Sequence, residues 1–253
     1  MNNTDIICLG EALVDRLGAL GQTNNFNNNF YDCLGGAPAN VACGLARLGK
    51  NVSFIGCLGN DSIGSKFKNL FESRGVNLDA LQIKNDLPTR IVLVQRDSNG
   101  ERTFGGFDGK KNNIFADQAL ELNKLKEQYP LILEKASWLL MGTIPLAFKA
   151  SSESALWVMD QTLKQGKQIA IDLNWRPTFW DKNLAPNSGP NKEQYDLIRS
   201  FLENASLLKL AKEEALWFFN SEDPVEISHL LRKKPIVIIT DGSNPIKWIF
   251  GEF

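Results

Sequence analysis

Gly35-Gly36-Ala37-Pro38-Ala39-Asn40-Val41-Ala42-Cys43-Gly44-Leu45-Ala46-Arg47-Leu48-Gly49 is a double glycine running into the start of an amphipathic helix. Pro38 suits the first helical turn, where its missing N–H would have had no partner. Val41, Leu45 and Leu48 fall on one helical face, and Gly49 can close the helix in a left-handed conformation. Glycines let a ligand approach bare backbone, and a helix start offers free N–H groups. Asn40, inside the first turn, can both donate and accept hydrogen bonds. The combination suits a small molecule carrying many hydroxyls. It equally suits a plain strand-to-helix turn, and the stretch alone does not choose between the two.

Outward from this segment, short apolar runs alternate with helical patterns. Strands are expected at Ile6–Leu9, Val52–Gly56, Ser137–Met141, Gln168–Asp172, Ala205–Leu210 and Pro235–Thr240. Helices are expected at Ser62–Arg74, with Ile63, Phe67, Leu70 and Phe71 on one face, and at Ser151–Gln165, Lys192–Glu203, Lys212–Asn220 and Pro224–Lys233. Short β-branched strands separated by helices predict an α/β fold with a doubly wound, mostly parallel sheet. Two segments break the rhythm. Residues 15–34 are Asn-rich and non-helical, and Arg90–Arg96 and Arg102–Phe107 read as strands joined by Asp97-Ser98-Asn99-Gly100, a hairpin signal. A hairpin inserted in an α/β chain needs a face to cover. The expectation is one domain over 1–253 with a small β-lid built from segments of about 15–34 and 89–107.

The chain has 253 residues, 43% of them hydrophobic, and a formal net charge of -1. That is enough apolar material for a sizeable core, without the basic excess that nucleic acid or an anionic membrane surface would require. No apolar run approaches transmembrane length, and the N-terminus lacks the pattern of a signal peptide. Cys8, Cys33, Cys43 and Cys57 form no CxxC pair, and His229 is the one histidine, so a zinc site is not expected. Cys8 and Cys57 read as small core residues, and reduced thiols fit a cytoplasmic location. His229 reads as an exposed helical residue, and tryptophans such as Trp138 and Trp157 as packing.

In doubly wound sheets, ligands sit beyond the carboxyl ends of the strands. Asp15 follows Gly10-Glu11-Ala12-Leu13-Val14; Asp172-Leu173-Asn174-Trp175-Arg176-Pro177 ends one strand; Lys209, with Glu213 and Glu214, ends another; Thr240-Asp241-Gly242 ends a third. In this order, together with Gly35-Gly36-Ala37-Pro38-Ala39-Asn40 and the hairpin, these pieces resemble the ribokinase-type (PfkB) family of carbohydrate kinases over essentially the whole chain. Asp172-Leu173-Asn174-Trp175-Arg176-Pro177 followed by Phe179-Trp180 looks most like the fructokinase branch.

The resemblance implies transfer of the γ-phosphoryl of ATP, with Mg²⁺, to a sugar hydroxyl, with fructose 6-phosphate as product from fructose. Such transfer is mostly positioning and charge stabilisation. Substrate binding would fall to Asp15, Gly35, Gly36, Asn40, Phe104, Asn174 and Arg176, with Arg176 also stabilising phosphate. Lys209, Glu214, Thr240 and Gly242 would line the nucleotide, and Glu214 would act on Mg²⁺ through water. Each has a plainer reading: Asp15 as a surface acid, Phe104 as sheet packing, Arg176 paired with Asp172 or Asp181, and Lys209 and Glu214 as ordinary charges opening a helix. A homodimer through the lid, with Asn25–Tyr31 in its interface, is a further implication.

The sequence departs from the family pattern in three places. The Gly-Ala-Gly-Asp segment that supplies the family's anion hole and catalytic base is absent, and Ile249-Phe250-Gly251-Glu252-Phe253 reads as a hairpin strand upstream of where it belongs. The base is therefore expected C-terminal to Phe253, and apolar surface is expected to lie uncovered on the final strand. Ala211 stands where the family's Asn-x-x-Glu motif has Asn, and Pro245 where the family often has Gly. A kinase for ribose, 2-keto-3-deoxygluconate or a nucleoside, and a sugar-binding short form without turnover, are the alternatives.

Overall fold

The computed structural model describes residues 4–21, 30–99, 102–108 and 114–251. In chain order the elements are β1 (Ile6–Leu9), β2 (Leu13–Gly18), β3 (Phe30–Gly35), α1 (Ala37–Arg47), β4 (Val52–Gly59), α2 (Ser62–Ser73), β5 (Leu81–Lys84), β6 (Ile91–Arg96), β7 (Arg102–Phe107), α3 (Leu122–Leu133) and β8 (Trp138–Gly142). They continue with α4 (Lys149–Lys164), β9 (Gln168–Asp172), the single turn α5 (Pro177–Trp180), α6 (Lys192–Leu202), β10 (Leu207–Ala211), α7 (Lys212–Phe219), α8 (Pro224–His229), β11 (Ile236–Asp241) and β12 (Asn244–Ile249).

The main sheet has the strand order β12-β11-β10-β9-β8-β1-β4-β5. Every neighbouring pair is parallel except β11 with β12. Its central strands read as near-continuous apolar runs because helices cover them. The carboxyl ends of β1, β9, β10 and β11 consequently share one edge of the sheet. The smaller sheet has the order β3-β2-β6-β7, with β2 and β6 parallel and the outer pairs antiparallel. The expected α/β fold with a second, small sheet is therefore present.

Local chemistry explains several boundaries. Asp61 caps α2 by accepting the Gly64 N–H at 2.7 Å, and its other oxygen accepts the Thr89 N–H at 2.7 Å. One carboxylate thus ties a helix start to the strand entering the smaller sheet. Asn191 and Gln194 form a reciprocal capping box at the start of α6. Burial pushes the Cys8 and Cys57 thiols up to about 12, as inert core residues require. His229 is exposed.

Several expectations are corrected. Of the expected apolar face of α1, Val41 and Leu45 pack half-buried against the core but Leu48 is exposed, and the deepest positions are Pro38, Ala39 and Ala42. The helix start lies close to the end of β1: a Cβ on Gly10 would lie 2.5 Å from Pro38 Cγ. The described part of the 15–34 segment is non-helical, as expected, and belongs to β2 and β3, which pair antiparallel from Leu13↔Gly35 to Gly18↔Phe30. Residues 22–29, and with them most of Asn25–Tyr31, lie outside the described residues. Helix α3, with Pro130 inside it, is an addition to the expected elements. It forms because Leu125, Tyr129, Ile132 and Leu133 bury one face, which outweighs the lost backbone bond. The final hairpin strand is Asn244–Ile249, one turn upstream of the expected 249–253, and it carries Pro245 on the sheet edge, where a missing N–H is tolerated. Its Ile246 and Trp248 are exposed, as is Phe250 beyond it, so apolar surface does lie open there.

The two sheets meet through Leu13, Val92, Ile144 and Phe179, with Phe104, Phe107 and Phe148 packed against them. Within this seam Arg90 is fully buried, ringed by Phe107, Phe115, Phe148 and Phe179. Among the described residues, no helix is long and apolar enough to cross a membrane.

Candidate active site

Between the smaller sheet and the carboxyl edge of the main sheet lies a cleft of about 530 Å³, a size suited to a small metabolite. The link Gly10–Ala12 places Glu11 in it at the end of β1, and β2 supplies Leu13, Asp15 and Leu17 on its inward face. Strands β6 and β7 add Val92, Val94, Arg102, Thr103 and Phe104 from above. The start of α1 contributes Gly36, Ala37 and Asn40, and the segment after β9 contributes Asn174, Arg176 and Thr178. Apolar walls with a few convergent polar groups suit a polyhydroxyl ligand.

The cleft thus brings together Asp15, Gly36, Asn40, Phe104, Asn174 and Arg176 from distant parts of the sequence. Gly35 packs behind Asp15, where an added Cβ would sit 3.0 Å from the carboxylate. Gly36 has φ 96°, and a Cβ there would lie 2.4 Å from the Glu11 carbonyl oxygen. Only glycine fits that turn. Asn174 also takes a left-handed conformation, φ 45°, which asparagine tolerates better than most residues. Phe104 lines the cleft and packs edge-on against Phe107.

Charge in the cleft is unevenly distributed. Burial raises the Asp15 carboxyl above the usual range, while Arg102 and Arg176 pull it down. Arg176 pairs with neither Asp172 nor Asp181; it donates to the Trp175 carbonyl at 2.8 Å. Asp172 instead meets Lys209 at 3.1 Å. Among the described residues neither Arg102 nor Arg176 forms an ion pair, so two guanidiniums remain available to an anion. Glu11 is 2% exposed, and burial pushes its carboxyl up to about 7.

The remaining sequence-derived residues lie outside the cleft, along the same edge. Lys209 is half-buried in β10, and Thr240 and Gly242 lie at the end of β11, with Gly242 at φ 53° facing open space. Lys212 stands between Glu222 and Asp241 at 3.5 and 3.4 Å. Glu214 is buried; its Oε1 accepts the Trp175 N–H at 2.6 Å and its Oε2 the Ala211 N–H at 2.7 Å. Burial raises its carboxyl, against the lowering effect of these two bonds. Because the carboxylate is committed to backbone, and no group of three acidic, His or Cys side chains among the described residues could hold a metal ion, a direct Mg²⁺ cage does not fit here.

Sequence reasoning assigned no role to Glu11, Arg102, Thr103 or Thr178. For Glu11 the available signal was an acid directly after the glycine ending a buried strand. For Arg102 it was strand alternation with Phe104, which gives both residues one face.

A model of the pfkB family of carbohydrate kinases matches residues 3–251. The probable fructokinase-6, chloroplastic, of Arabidopsis thaliana is 27% identical over 98% of this chain and 62% of its own length. The fructokinase of Salmonella typhimurium is 28% identical over 87% of this chain and 64% of its own length. The crystal structure of the fructokinase from Xylella fastidiosa with bound ATP superimposes with a TM-score of 0.79 and 26% identity, covering 98% of this chain and 75% of that one. The chain therefore spans less than two thirds of either of these two curated relatives.

Proposed function

The chain belongs to the pfkB family of carbohydrate kinases, and from that premise we propose that its cleft binds a sugar, fructose first, for phosphoryl transfer from ATP. The observation that carries this reading is the convergence in one cleft of Asp15, Asn40, Asn174, Arg102 and Arg176, the two arginines forming no ion pair among the described residues. Asp15 would accept hydrogen bonds from sugar hydroxyls, and Asn40 would grip another. Phe104 would cover the apolar ring face and exclude water. Arg102 and Arg176 would neutralise the transferring phosphoryl group from lid and floor.

ATP would lie along the edge formed by Lys209, Thr240 and Gly242. Mg²⁺ would come with the triphosphate and its water shell, since Glu214 is occupied by backbone N–H groups. A cytoplasmic location and a homodimer through the smaller sheet belong to the same reading.

Titration of the folded chain with fructose, ribose, 2-keto-3-deoxygluconate and a nucleoside, followed by ADP release with Mg·ATP, tests it. Fructose is expected to bind tightest. Binding without ADP release would move the reading to sugar binding alone. Phosphorylation of the nucleoside but of no hexose would overturn the substrate class.

A further inference from the structure

The α1 helix has no cap of its own. Its N-cap residue is Gly36, which has no side chain to offer. The first N–H of the helix, on Ala37, instead donates to Glu11 Oε1 at 3.0 Å, across 26 residues of sequence. Glu11 sits in the link between β1 of the main sheet and β2 of the smaller one. One side chain therefore straps three things together: the main sheet, the entry to the smaller sheet and the turn whose Gly36, Ala37 and Asn40 line the cleft. Its second oxygen, Oε2, is buried and has no hydrogen-bond partner among the described residues.

We propose that Glu11 is a positioning residue of the sugar site, whose carboxylate draws the Gly36–Ala37 turn into its binding conformation and slackens that hold when Oε2 takes up a proton. This rests on reading the cleft as a sugar site. A charge-assisted hydrogen bond is shorter and about twice as strong as a neutral one, and a negative charge is favoured at a helix N-terminus. The ionised strap is therefore the tighter one. A protonated strap keeps an acceptor for Ala37 but loses the charge.

The surroundings allow both states near neutrality. Burial disfavours the charged form, and Asp117 and Asp172 act the same way at longer range. Those two are themselves paired, Asp117 with Arg90 and Asp172 with Lys209. The first turn of α1, Ala37-Pro38-Ala39-Asn40, brings no charge, and β2 contributes Asp15, which faces Arg102 and Arg176. No cation is paired with Glu11 among the described residues.

If sugar binds best to the ionised strap, affinity rises as pH rises through about 7, and binding releases a proton by reciprocity. Calorimetric titration of the full chain with fructose between pH 6 and pH 8, in two buffers of different ionisation heat, reads both. Affinity is expected to rise by about fivefold or more, the lower end of typical coupling. E11Q keeps an oxygen for Ala37 but cannot ionise, and its affinity is expected to stay level over that range. An equal rise in E11Q, or a flat wild type, overturns the proposal.

A readout without ligand separates this inference from the sugar reading. The amide resonances of Gly36 and Ala37 in the free wild-type chain are expected to titrate together near neutrality. If they stay still, the strap is not proton-operated, whether or not E11Q folds. If they titrate and no sugar binds at any pH, the strap stands and the sugar reading falls.

Discussion

The Arg90 guanidinium lies against the Asp117 carboxylate through two N–H···O bonds of 2.7 and 2.9 Å, with side chains 1% and 6% exposed. The nearest rings, Phe115 and Phe179, lie 4.4 and 4.6 Å from the guanidinium carbon. Arg90 immediately precedes β6, and its carbonyl accepts the Val14 N–H of β2 at 3.0 Å. The pair anchors the smaller sheet where its parallel strands enter. Asp117→Ala leaves a buried unpaired charge and is expected to cost about 3–5 kcal/mol in urea unfolding. Arg90→Lys keeps the charge but loses the planar fork, and should fall between wild type and D117A.

Gly36→Ala tests the turn. A methyl group would lie 2.4 Å from the Glu11 carbonyl oxygen, at a φ that L-residues rarely adopt. Destabilisation by more than about 2 kcal/mol is expected, with loss of sugar binding in whatever remains folded. Wild-type stability in a thermal melt would show that the backbone can shift there.

Glu214→Gln distinguishes a structural carboxylate from one that serves only metal-bound water. Gln turns one acceptor into a donor facing either the Trp175 or the Ala211 N–H. A loss of about 1–3 kcal/mol in chemical unfolding is expected. A carboxylate acting only through solvent would leave stability unchanged.

Stability should depend on pH through Glu11. Its folded carboxyl is raised from 4.5 to about 7, so the native state holds a proton that the unfolded chain has lost. Stability from this group is present below 4.5 and is lost as pH climbs to about 7, a change of about 3 kcal/mol. Urea midpoints of wild type should fall over that interval, and those of E11Q should fall less. Parallel curves for the two proteins would contradict the assignment.

Asp15→Asn should separate binding from folding. Burial already disfavours the charge on Asp15 in the free protein, so the neutral variant should be at least as stable near pH 7. Fructose affinity, measured by calorimetry, should fall by about tenfold or more, as for a lost hydrogen bond to a charged group. Unchanged affinity would remove Asp15 from the sugar site.

Most of the parallel sheet was legible because its strands carry their signal locally, whereas the short edge strand β5, Leu81–Lys84, gave no such signal and was missed. Ile6–Leu9 and Gln168–Asp172 are short apolar runs with bounds that match the structure residue for residue. The Gly35–Asn40 turn was legible for the same reason: glycine pair, proline and asparagine act within a few bonds of one another. The polar residues after β9 were enough to place Asn174 and Arg176 at the carboxyl edge, because parallel strands share that edge, whereas Asp15 reaches the cleft from within β2 and Asn40 from the first turn of α1.

Periodicity placed Val41 and Leu45 against the core but could not show that Ala39 and Ala42 are buried deeper, or that Leu48 is left in solvent. Nor could it pair Arg90 with Asp117, or Glu11 with Ala37. Those contacts join segments 27 and 26 residues apart, where chain crossings between the two sheets bring them into one dry seam. Local sequence marked most of the elements and the edge of the sheet where the cleft lies. Tertiary structure alone decided which charges are buried there, because desolvation and partnership are properties of the assembled seam and not of any residue in it.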